Sequence, residues 1–113
     1  MNQIEISIPV PLVTEAGTFT ATAYFRTRAT KAASAPTTAD YKIMCISTGV
    51  TVRDWTALTP AASIAIPITY EDNAIQRGSN MAERKSITVR ADAGLDTQQI
   101  HNRTWIVKNI GSI

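Results

Sequence analysis

One cysteine, Cys45, in a chain of 113 residues excludes an intrachain disulfide, so a domain of this size must hold together by packing or by association with partners. Histidine is as scarce. His101 stands alone, which rules out a zinc site built on several histidines and leaves any Ser-His-Asp arrangement a single possible base. Aromatic residues make up 6% and charged residues 18%, so the core must be built from Ile, Val, Leu and Ala. Eleven basic against nine acidic residues leave a formal net charge of +2, too little to draw the chain to phosphate backbones or anionic membranes. Neither nucleic acid nor membrane is therefore expected as a partner. No apolar run approaches a membrane span, and Met1-Asn2-Gln3-Ile4-Glu5 lacks the basic region of a signal peptide, so the expectation is synthesis in a cytoplasm.

The length suits one domain covering residues 1–113. Ile4, Ile6, Ile8, Val10 and Leu12 alternate with Glu5, Ser7, Pro9 and Pro11, a period of two that only a half-buried strand can sort onto one face. Proline cannot donate to a ladder, so Pro9 and Pro11 predict an edge strand, or one that leaves its sheet near Pro9. Phe19 to Phe25 alternates in the same way and gives a second strand. Ala29 to Ala39 is small and polar with one proline, and reads as a long exposed loop. Tyr41 to Ser47 is apolar on both phases, which suits a central strand. Val50 to Thr56, Ile64 to Ile68, Arg84 to Ala91 and Thr104 to Ile110 supply the rest, and Pro67 places the strand that carries it at an edge or a bulge. The pattern predicts an all-β fold, an immunoglobulin-like or fibronectin III-like β-sandwich of about seven antiparallel strands.

No catalytic, cofactor or metal site emerges. His101 lies in Gln99-Ile100-His101-Asn102-Arg103, without a nucleophile motif, and is expected on the surface. Cys45 falls in the most apolar strand, where a thiol acts as a small buried hydrophobe. Glu71, Asp72 and Asn73, and Asp92 with Asp96, lack the spacing of a calcium loop and read as turn residues. Asn102-Arg103-Thr104 matches a glycosylation sequon, but with no secretion signal the match is read as accidental. Arg26, Arg28, Lys31, Arg77, Arg84 and Lys85 are expected on solvated faces or against an acidic protein surface, and Trp55 and Trp105 as core or interface anchors.

Trp55-Thr56-Ala57-Leu58-Thr59-Pro60-Ala61-Ala62-Ser63-Ile64-Ala65-Ile66, then Glu71-Asp72-Asn73-Ala74-Ile75 and Ile87-Thr88-Val89-Arg90-Ala91-Asp92-Ala93-Gly94-Leu95, resembles small immunoglobulin-like virion proteins of tailed bacteriophages. The resemblance covers about the second half of the chain. It implies a capsid decoration or stabilising protein, a structural protein rather than an enzyme, bound as an oligomer to the major capsid protein on the virion surface. A carbohydrate-binding or adhesion module of a phage tail or fibre is the alternative, with Trp55, Tyr70 and Trp105 as the available rings. Contact with a partner is expected through the N-terminal edge strand (Pro9, Pro11), the Ala29 to Ala39 loop (Lys31, Pro36) or the turn from Glu71 to Asn80 (Arg77, Asn80).

Overall fold

The computed structural model describes residues 2–9, 11–15, 17–27, 30, 32–77, 81–92 and 99–109. Every regular element in them is a strand: β1 Asn2–Ser7, β2 Leu12–Thr14, β3 Phe19–Thr27, β4 Thr38–Cys45, β5 Val50–Leu58, β6 Ser63–Ile68, β7 Ala82–Asp92 and β8 Gln99–Lys108. They form a three-stranded sheet ordered β1-β3-β6 and a five-stranded sheet ordered β2-β8-β7-β4-β5.

The inward phase of each sheet supplies one shared core. Ile4, Ile6, Ala21, Ala23, Phe25, Ile64, Ile66 and Ile68 come from the first sheet, and Tyr41, Ile43, Ile87, Val89, Trp105 and Val107 from the second. Small alanines opposite isoleucines let the layers interdigitate. Phe19 meets Trp105 edge-on, with ring centroids 5.4 Å apart and planes at 87°.

The first predicted strand is two. β1 pairs antiparallel with β3 as far as Ser7↔Thr22. The chain then crosses to the other sheet, where Leu12 to Thr14 runs parallel to Ile106 to Lys108. Pro9 and Pro11 bring no N–H to a ladder, which is why the strand gives up one sheet and joins the next between them. Arg103 spans the gap, its Nη1 donating to the carbonyl of Ile6 at 2.9 Å. The expected edge positions hold, since β1 and the Pro67-bearing β6 flank the three-stranded sheet and β4 sits between β7 and β5.

Two other expectations change. The loop before β4 is laced to β3: Ala33 bridges Arg26, Thr27 N–H donates to Ala32, and Ser34 N–H donates to Phe25. Backbone groups near a sheet edge find partners there rather than in water. The last strand begins at Gln99, earlier than Thr104, so His101 lies within a strand. Apolar periodicity misses Gln99 to Arg103 because His101, Asn102 and Arg103 are exposed on both phases.

Candidate functional site

Two places on the molecule are built from side chains brought together by the fold. The first is the end of the sandwich where β4 and β6 finish and β5 and β7 begin. There β7 carries Glu83 and Lys85 on its inward phase, and both are fully buried. A bare charge in that position would be costly, so each is satisfied locally. Lys85 Nζ donates to the carbonyl of Ala74 at 2.6 Å and lies 3.5 Å from Glu83 Oε1. The Glu83 carboxylate accepts the backbone N–H groups of Gln76 at 2.6 Å and Arg77 at 2.9 Å, and the Cys45 thiol points at it from 3.6 Å.

The preceding residues are pinned as firmly. Asn73 accepts the indole N–H of Trp105 at 2.7 Å and donates to the carbonyl of Gly17 at 2.7 Å. Asp72, also buried, accepts from the backbone N–H and the hydroxyl of Thr69 and from Arg53 Nε at 3.0 Å. The Asp72 carboxylate raises the pKa of Arg53 above its ordinary value through that hydrogen bond. Burial, the largest influence, raises the Tyr41 phenol above its ordinary value, with Arg53 opposing and Asp72 adding. Asp72 thus closes a turn, as its sequence context suggests, and its oxygens are engaged by protein donors. Lys85 contradicts the expectation of a solvated basic face, because strand alternation from Ile87 and Val89 carries it inward to meet Glu83 and Ala74 O.

Around this pinned segment Ile46 and Val50 flank the β4–β5 turn, and Tyr70 and Met81 flank the β6–β7 connection. These four large apolar side chains are exposed by 51%, 42%, 60% and 75%. Gly49 makes the turn possible with a φ of 74°, its N–H donating to the Cys45 carbonyl.

The second place is the outer face of the five-stranded sheet. Between Tyr41↔Thr56 and Ile43↔Arg53, β5 has two residues against one on β4, a bulge that sends Trp55 outward while Arg53 faces in. Arg90 stacks over the Trp55 ring at 3.8 Å and Lys42 approaches it at 5.6 Å. Arg90 also makes a bidentate pair with Asp40, at 2.7 and 2.8 Å, which raises its pKa. A shallow cavity of about 290 Å³ lies beside this pair, lined by Thr38, Ala39, Asp40, Ala57, Arg90, Ala91 and Asp92. The Arg90 charge is already neutralised by Asp40, and its guanidinium covers the Trp55 face. Trp105 is buried. Of the three rings available to a sugar, Tyr70 is the most exposed and Trp55 keeps part of its surface open.

Among the residues expected to touch a partner, Pro9 and Pro11 are exposed at the crossing between sheets, and Arg77 is exposed beside Glu83. Pro36 is buried, so its side chain belongs to the interior. Lys31 and Asn80, like Asp96 of the weighed carboxylate pair, lie outside the described residues. Sequence reading missed the buried pair on β7, although Glu83 and Lys85 share the phase of Ile87 and Val89 and could have been found from it. Among the described residues no group of three or more His, Cys, Asp and Glu could hold a metal ion. No protein family, curated protein or solved structure matches this chain.

Proposed function

We propose that this protein is an immunoglobulin-like structural protein of a phage virion, a decoration or stabilising domain attached to the major capsid protein. The strand order supports the fold part of that reading. A β8-β7-β4-β5 run facing β1-β3-β6 is compatible with an immunoglobulin-like or fibronectin III-like sandwich, in which the last hairpin and the third strand share a sheet.

The observation that carries the attachment reading is the exposed apolar end formed by Ile46, Val50, Tyr70 and Met81. Beneath it the connection from Thr69 to Arg77 is held by Asp72, Asn73, Glu83 and Lys85. Exposed apolar side chains on a rigid support bind with little loss of conformational freedom, which favours docking to a protein surface. A capsid lattice repeats the docking site, so many modest contacts act together.

The test is co-sedimentation of the purified chain with empty phage capsids. Saturable binding that is lost in the Tyr70→Ser/Met81→Ser double variant supports the proposal. Absence of binding to every capsid tried, together with a shift of tryptophan fluorescence on adding glycans, overturns it in favour of a carbohydrate-binding module.

A further inference from the structure

Among the described residues the sheets are open along β1, β5, β6, the outer side of the three-residue β2 and the part of β8 that β2 leaves uncovered. All but the last either carry features that block stray pairing or, like β2, are too short to offer much of it. β1 ends against Pro9 and is tied to β8 through Arg103. β5 is broken by two register shifts against β4, and β6 is six residues long and contains Pro67. The segment Gln99 to Thr104 of β8 has no Pro, its one formal charge, Arg103, is engaged by the Ile6 carbonyl, and its register with β7 runs without a shift.

The backbone phase of this segment follows from its two neighbours. Asn109 N–H donates to Met81 next to β7, whereas Ile106 N–H donates to Pro11 on the opposite side. Odd-numbered residues of β8 therefore bond to β7 and even-numbered ones face away. By that alternation the N–H and C=O groups of Ile100, Asn102 and Thr104 point out of the edge, where β2 does not reach. Ile100 is 64% exposed.

We propose that this edge pairs antiparallel with the same edge of a second copy, about a two-fold axis through Asn102. The segment is complementary to itself in that register. Asn102 faces Asn102 of the second copy and Ile100 faces its Thr104, so the outward donors and acceptors at all three positions are matched. Ile100 gains cover from the Thr104 methyl, His101 faces Arg103, and no carboxylate meets a carboxylate. The isologous contact joins the two five-stranded sheets into one. This pairing does not rest on the attachment reading, and its test uses the chain alone.

Sedimentation equilibrium over a dilution series should give a dimer that dissociates on dilution. Asn102→Pro removes an outward N–H without touching the bonds to β7, and Ile100→Lys places a charge on the edge. Each should weaken association by about tenfold or more, with thermal melting used to show that the fold is retained. Directly opposed residues of such a pair have Cα atoms about 5.5 Å apart, within disulfide reach. Oxidation should therefore link Asn102→Cys chains into dimers and leave Thr104→Cys chains unlinked; Cys45 is fully buried. A monomer at every concentration overturns the proposal. So does a dimer indifferent to both edge variants, equal linking at positions 102 and 104, or a monomer that captures an unrelated extended peptide here.

Discussion

The indole Nε1 of Trp105 donates to Oδ1 of Asn73 at 2.7 Å, joining the last strand to the β6–β7 connection across 32 positions of sequence. The same amide donates to Gly17 on the other side, so one buried side chain holds three parts of the chain in register.

Replacing Asn73 by Ala leaves the Trp105 N–H and the Gly17 carbonyl without their partner. Each orphaned buried group costs about 1–3 kcal/mol. Asn73→Ala should lower unfolding free energy by roughly 2–6 kcal/mol on that basis, read from urea midpoints. Asn73→Asp keeps the acceptor for Trp105 and should not reproduce the Trp105 part of the loss.

The buried pair on β7 invites a double-mutant cycle. Glu83→Gln or Lys85→Met alone strands one charge in the interior and should destabilise by about 3–5 kcal/mol. The double variant should lose less than the sum, because neither charge is left unmatched. Strict additivity in denaturant titrations would show that the two groups are not coupled.

Burial makes ionised Tyr41 unfavourable in the folded state. With the folded pKa above the unfolded value, Tyr41 leaves stability intact below pH ~10 and removes it as pH rises through the folded-state titration. Wild type should therefore lose stability more steeply than Tyr41→Phe above that pH. Parallel pH profiles of the two proteins would refute the assignment.

Arg90 shields one face of Trp55. Arg90→Ala should raise acrylamide quenching of tryptophan fluorescence, because the ring face it covers is opened to the quencher. Trp105 is 1% exposed and should contribute little to the quenched signal in either protein. Unchanged quenching would mean that the stack does not persist in solution.

Strand content was legible because alternation is a local property. Ile4-Ile6-Ile8, Ala21-Ala23-Phe25 and Ile64-Ile66-Ile68 each face a single core, and no helical period can produce those patterns. Proline marked the edges for the same local reason, since a missing N–H cannot serve a central ladder. The exposed apolar end was less legible. Ile46, Val50, Tyr70 and Met81 are separated in sequence and lie toward one end only because β4 and β6 run to it and β5 and β7 start from it.

Residue order by itself determined that this chain is all-β, where most of its strands lie and that the proline-bearing ones stand at edges, because side-chain alternation and a lost donor act within a few residues. Tertiary structure alone decided that Lys85 is an interior residue satisfied by Glu83 and Ala74, that Trp55 lies beneath Arg90, and that among the described residues no strand pairs with the outward backbone of Ile100 to Thr104. Those outcomes depend on which distant strands become neighbours, and hydrogen bonding and burial between neighbours are not encoded in any one segment.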